Sequence, residues 1–305
     1  MTLSLITPSY HGDLERAALL FETVDRHVTG FDKHYVIVSD TDYPLFARFE
    51  RGRREILPAS RFLPTWLHPM PGFLKWRGRR YLWSLKAWPI YGWHTQQLVK
   101  IAAAATLPAT RYCLIDSDNA FFRPFDAASV DGSGSVPLYV EPAAVQAASP
   151  WHAPWLKTAH HLLGLAPPTF PANDFIGQMI VWDQATVQAM LAGIERATRQ
   201  PWAVALCKAH GFSEYMLYGT FVSTDATAAS RHVQSSESLC VTHWDRSTPD
   251  HDALVEMLRA AAPDQVALCV QSFNATPIDV IRAAIEDVGV GASRSPRAVT
   301  GFGAP

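Results

Sequence analysis

The run RYCLIDSDNAFFRPF, residues 111–125, decides the fold. Arg111 to Ile115 reads as a buried strand, and it leads straight into Asp116, Ser117, Asp118 and Asn119 before Pro124 breaks the segment. On the N-terminal side, Leu3 to Thr7 is a short apolar run ending in Pro8 and Ser9. Leu14, Ala17, Ala18 and Phe21 then recur at helical spacing across a helix from Asp13 to Val28. A second strand, Tyr35 to Ser39, ends at Asp40, Thr41 and Asp42, with a short helix from Tyr43 to Phe49 and a third strand at Ile56 and Leu57. Alternation of this kind predicts an α/β fold, a mixed, mostly parallel sheet flanked by helices in the Rossmann-like manner, with ligands at the carboxyl ends of the strands. Ser9, Tyr10, Asp40 and Asp42 fall at that edge.

The pattern continues to the C-terminus. It predicts strands at Val136 to Glu141, Ile176 to Trp182, Leu239 to Thr242 and Val266 to Val270. The helices expected there are Trp151 to Leu163, Gln184 to Thr198, Pro249 to Ala262 and Pro277 to Val288. Residues 1–288 are expected to form one domain, followed by a Gly, Ser, Arg and Pro-rich disordered tail, 289–305. Its 305 residues, 48% of them hydrophobic, are enough for a large core, and a formal net charge of -2 excludes a whole-protein attraction to nucleic acid. The four cysteines, Cys113, Cys207, Cys240 and Cys269, lack metal-ligand spacing and read as buried thiols of a cytoplasmic protein. Met1 to Tyr10 lacks a basic n-region and a cleavage site and is expected to be the first strand, not a signal peptide. No apolar stretch is long enough for a transmembrane helix, so any membrane contact is expected to be peripheral, at the inner face.

One stretch is unlike the rest. From Ile56 to Ile115 there is no acid, while Arg61, Lys75, Arg77, Arg79, Arg80, Lys86, Lys100 and Arg111 lie inside it. Between Phe62 and Trp93 it holds Trp66, Trp76, Trp83, Trp88 and Trp93, half of the ten tryptophans, so residues 61–92 read as an excursion from the sheet. Such residues suit sugars or an anionic, lipid-linked ligand, and equally the packing of a long loop. A helix from Trp93 to Ala105 follows. It turns Leu98, Ile101, Ala102 and Ala105 to the core and puts Gln97 and Lys100 on another face.

Asp116 and Asp118 stand at alternating positions just past a strand, where extended backbone aims both carboxylates to one side. Hard oxygen ligands at such an edge suit Mn²⁺ or Mg²⁺, which stabilise a departing diphosphate; a plain polar turn would use the same residue types.

Residues 111–125, together with the preceding GWHTQQLVK of residues 92–100, resemble the hydrophobic-strand, Asp-x-Asp, aromatic pattern of GT-A glycosyltransferases, in particular an uncharacterised bacterial branch. The resemblance spans about Leu3 to His243. It implies a metal-dependent transferase moving sugar from a nucleotide-sugar donor to a glycan or glycolipid acceptor of the bacterial surface. Asp118 would be the direct metal ligand and Asp116 would lie nearer the sugar or ribose, with Ser9, Asp40 and Lys100 seating the nucleotide. His243 is similar in placement to a C-terminal histidine that completes the metal site, and is otherwise a core or surface histidine. Glu214 resembles the acid that begins a helix near the acceptor. It would be the general base if the reaction inverts and an acceptor-positioning group if it retains, and Ser213 or Glu214 would also cap that helix. Asn173, Asp174, Gly177 and Gln178 look like the turn that reaches the donor sugar, though a simple turn explains the glycine equally; Gln97 shares the Lys100 face. Two rival readings remain. One is a haloacid-dehalogenase-type phosphohydrolase with Asp116 as nucleophile, the other a non-catalytic nucleotide-sugar binder. Against the hydrolase, two strand-helix units precede the Asp-x-Asp and no later Asp-Asp pair follows.

Overall fold

A computed structural model describes residues 2–70, 81–131, 134–209 and 211–292. Five strands form the main sheet: β1 (Leu3–Ser9), β2 (His34–Val38), β3 (Arg54–Pro58), β4 (Arg111–Leu114) and β5 (Ile180–Asp183). Their spatial order is β5-β4-β1-β2-β3, parallel throughout except for the antiparallel edge strand β5. The chain steps outward from β1 to β3 and then crosses back to lay β4 on the other side of β1. The gap between the carboxyl ends of β1 and β4 is therefore a topological switch point, the place where an open α/β sheet leaves a crevice for ligand.

Side chains alternate across the sheet as the strand period requires. Ile6, Tyr35, Ile37, Leu57, Tyr112, Leu114 and Trp182 join a core beneath helices α2 (Gly92–Thr106), α4 (Gln184–Thr198) and α5 (Glu214–Thr224). Leu5, Val36, Val38, Ile56, Cys113 and Val181 face the opposite core with α1 (Leu14–His27). Covering both faces is what permits a parallel sheet. Capping sets two helix starts: Asp183 accepts from Thr186 N at 2.8 Å and Ser213 from Met216 N at 3.4 Å.

After β4 the chain leaves this sheet. Asn119–Phe121 pairs antiparallel with Ala267–Val270, which pairs parallel with Cys240–His243. Helices α6 (His251–Arg259) and α7 (Ile278–Ala292) close the far side of this second sheet over Leu254, Leu258, Leu268 and Ile285. Residues 115–118 are thus the junction between two sheets.

Several expectations shift. The strand foreseen at Ile176 to Trp182 begins only at Ile180, because Met179 takes φ +56° and Asp174 Oδ1 folds the preceding turn by accepting from Ile176 N at 3.0 Å. The strand near Val136 is real, Val136–Tyr139, but pairs with His232–Ser235 outside the main sheet. A helix at Trp202–Lys208 was not foreseen. The first four residues of the expected tail continue α7 to Ala292, since a helix anchored by Ile281, Ala284 and Ile285 tolerates a late glycine at a cost of about 1 kcal/mol. Residues 293–305 lie outside the described residues, as do Lys75, Trp76, Arg77, Arg79 and Arg80 of the excursion. The described part of that excursion includes a small antiparallel sheet of His68–Pro69, Tyr81–Trp83 and Ile90–Tyr91. Trp66 packs on the core, whereas Leu85 and Trp88 stand exposed. The cysteines are buried free thiols, and no helix among the described residues is long and apolar enough to cross a membrane.

Two features of this packing are testable. His34, buried on β2 between Thr7 Oγ1 (3.0 Å) and Arg54, has its pKa lowered to about 3 by burial and then by the Arg54 charge. The unfolded chain therefore takes up a proton near pH 6.5 that the native state refuses, and stability falls as pH drops below that value. Relative to His34→Gln, the wild type should lose about 2 kcal/mol between roughly pH 6.5 and pH 5, read from urea midpoints. In α5, a methyl group on Gly219 would lie 2.1 Å from Phe175 Cγ. Gly219→Ala should destabilise by about 1–3 kcal/mol in the same assay, as overpacking does.

Candidate functional site

Four segments converge at the switch point. The loop after β1 brings Asp13, the junction after β4 brings Asp116 and Asp118, α2 brings Lys100, and the first residue of α5 is Glu214. The junction is pinned on both sides, by Asn119 N donating to the Asp116 carbonyl at 3.2 Å and Val270 N donating to the Asp118 carbonyl at 3.3 Å.

Lys100 is the centre. Its Nζ lies 2.7 Å from Asp116 Oδ1, 2.9 Å from Glu214 Oε1 and 3.1 Å from the Tyr215 hydroxyl, with the side chain only 3% exposed. Burial by itself would strip the ammonium of its proton, but Asp116 and then Glu214 outweigh it and hold the pKa well above the ordinary lysine value. Gln97, one turn earlier on α2, accepts from Glu214 N at 3.1 Å through Oε1. So Lys100, expected to help seat the nucleotide, and Gln97, expected as a substrate-binding residue on the same face, are turned inward to hold Glu214 and Asp116 in place.

Among the described residues, Asp118 makes no ion pair with a lysine, arginine or histidine. Its carboxylate accepts from Ser272 N at 3.3 Å and approaches Cys269 Sγ at 3.6 Å. Burial, then Asp116, then Asp13 push its pKa up to about 7. Asp13 is raised as well, chiefly by burial, while Ser117 Oγ donates to it at 3.1 Å. Three carboxylates are thus close enough to feel one another; among the described residues Lys100 pairs with Asp116, and Arg16 and His11 oppose the rise of Asp13. Among the described residues, no group of three or more His, Cys, Asp or Glu is gathered tightly enough to hold a metal ion.

The other sequence candidates are placed as follows. Ser9, at the end of β1, has a buried hydroxyl with no hydrogen-bond partner among the described residues. Asp40 is occupied by Ser60, through Oγ at 2.5 Å and N at 3.2 Å. Gln178 accepts from Asn119 Nδ2 at 3.0 Å, and the same amide reaches the Asp116 carbonyl at 3.0 Å, tying the turn to the junction. Asn173 Oδ1 accepts from Ala143 N at 3.2 Å, and Asp174 binds His152 Nδ1. His243 ends its strand beside Val270, whose own N–H meets Asp118, so two strand spacings separate them. The His243 ring contacts Ser247, at 3.0 Å to the carbonyl and 3.3 Å to Oγ.

Sequence reasoning left out Asp13, Asn119, Tyr215 and His152. Asn119 stood in the quoted motif, but nothing marked its partners. Asp13 read only as a helix start.

The fold and the site define a mixed α/β protein with a cluster of acidic side chains at the switch point of a mostly parallel sheet. Residues 1–289 match a family described as a family of unknown function, DUF6492, and the chain belongs to that family. No curated protein matches it.

Replacing Lys100 by Met strands the buried Glu214 carboxylate and the partly buried Asp116. The substitution should cost about 3–5 kcal/mol in urea unfolding, and adding Glu214→Gln should return part of that loss by removing one of the stranded charges.

Proposed function

We propose that the chain is a nucleotide-sugar-dependent glycosyltransferase of GT-A architecture that acts with Mn²⁺ or Mg²⁺ on a glycan or glycolipid acceptor. The observation that carries this reading is the place of Asp116 and Asp118, immediately beyond β4 at the switch point beside β1. The strand order supports it, with the Asp-x-Asp after the fourth strand of the sheet and an antiparallel strand outside it. A haloacid-dehalogenase-type hydrolase is expected to carry the motif on its first strand.

The donor set fits a hard divalent cation. Asp118 and Asp116 offer carboxylate oxygens in a site where burial and then Asp116 and Asp13 raise Asp118, while burial and, to a lesser extent, Asp116 raise Asp13, and such a cation relieves that repulsion. Magnesium is held by one or two carboxylates with waters and phosphate oxygens, so a closed protein cage is not required. When bound, the ion supplies charge neutralisation at the departing diphosphate. The chain's own residues do the rest. Lys100 fixes Asp116, Asn119 and Gln178 fix the junction backbone, and the Ser9 hydroxyl, without a hydrogen-bond partner among the described residues, offers a hydrogen bond to the nucleotide. His243 would join the ligand set only after releasing Ser247.

The test is a thermal-melt screen of nucleoside diphosphates and their sugars with Mn²⁺, Mg²⁺ or EDTA, on wild type and Asp118→Asn. One nucleotide family should stabilise the wild type in a metal-dependent way, by about 2.7 kcal/mol at a hundredfold excess over Kd, and the variant should lose the effect. No nucleotide response, with metal-dependent phosphate release from simple phosphoesters, would replace this reading with the hydrolase. Binding without transfer would leave a nucleotide-sugar-binding protein.

A further inference from the structure

Glu214 is badly placed to accept a proton from a hydroxyl arriving from solvent. Its carboxylate is 6% exposed and paired with Lys100. A better-placed group stands at the other end of α2. His152, in the first turn of α3 (His152–Leu162), donates or shares its Nδ1 with Asp174, and Asp174 is itself buried and held by Ile176 N at 3.0 Å. With Nδ1 fixed by a carboxylate, Nε2 is the ring nitrogen that Asp174 does not engage, and the side chain is 38% exposed. This is the arrangement that prepares an imidazole for proton transfer, the carboxylate setting the tautomer and stabilising the imidazolium.

Around it lies a row of rings. His152 stacks on Trp155 at 5.4 Å, Trp155 meets Trp93 at 5.3 Å and Trp151 at 6.4 Å, and Trp151 is 66% exposed. Exposed indoles beside hydrogen-bonding groups suit the apolar face and hydroxyl edge of a pyranose. The row is tied to the acidic cluster through α2. Trp93, Gln97 and Lys100 follow one another on α2, about 10 Å from first to last at 1.5 Å per residue. On the other side, the segment from Asp174 to Gln178 connects the dyad to Asn119 and the Asp116 carbonyl.

We propose that Trp151, Trp155 and the Asp174-oriented His152 form the acceptor subsite, which stacks a pyranose ring and takes the proton of its reacting hydroxyl on His152 Nε2. The proposal rests on the transferase reading above. In the step it serves, the acceptor oxygen bonds the anomeric carbon as its proton passes to His152. The bond from that carbon to the diphosphate oxygen breaks, and its electron pair leaves with the diphosphate. Asp174, and Glu141 further off, face the ring and raise its pKa above the ordinary 6.5, against the opposing effect of burial. The base is active when neutral, so the rate rises with pH through that raised value.

A glycan array read with wild type, Trp151→Ala and His152→Gln tests the subsite, and transfer from the donor found in the melting screen tests the proton. The wild type should retain a defined set of pyranose glycans, and Trp151→Ala, altered at an exposed position, should bind them about tenfold more weakly or worse. His152→Gln should bind the same glycans, keep its nucleotide-dependent melting shift, and transfer about a hundredfold more slowly without the acidic limb of the pH profile. No glycan retained, equal retention by Trp151→Ala, or wild-type transfer by His152→Gln would overturn the subsite while the melting shift still stands. Absence of any nucleotide shift in the wild type would overturn the transferase reading and this inference with it.

Discussion

A single buried ammonium holds the functional edge together. Lys100 leaves water entirely, which for an isolated amine would end in loss of its proton, and two carboxylates from distant parts of the chain reverse that outcome. Because those carboxylates belong to the end of β4 and the start of α5, the ion pair fixes α2, the strand junction and α5 against one another. Gln97 adds a second tether between α2 and the backbone of Glu214. The cost of burying Lys100 and Glu214, with Asp116 partly buried beside them, is offset by their pairing, so the group specifies geometry more than it adds stability.

The carboxylates left outside that neutralisation give the edge its chemistry. The chain changes sheets at residues 115–118, and a junction between sheets cannot satisfy every polar group by strand pairing. Asp118 therefore ends buried beside a cysteine and one backbone N–H, with Asp116 and Asp13 near enough to raise its pKa to about 7.

How much of this was legible in the residues varies by element. The parallel strands and their helices were readable because strands buried on both faces, such as Arg111–Leu114, are near-continuous apolar runs, and because periods of 2 and 3.6 differ sharply. The strand near Ile176 was placed too early, since no period reveals that Met179 turns to positive φ. Asp116, Lys100 and Glu214 were each picked out separately, from strand ending, helix face and helix start. Their mutual contact was not, because partners 114 residues apart leave no local pattern. The Trp-rich excursion drew attention by composition, yet the indoles best placed to meet a ring include Trp151 and Trp155, which lie far from it in sequence.

The sequence by itself determined the α/β alternation, the covered parallel sheet and the presence of two acids just past a buried strand, because local periodicity and strand ends are written in consecutive residues. Only the tertiary structure decided that Lys100 serves Asp116 and Glu214, that Asp118 is packed against Cys269 and the Ser272 N–H, and that Asp174 orients His152. Each of these depends on which groups share a low-dielectric space once distant segments pack, and that is a property of distances that no spacing along the chain contains.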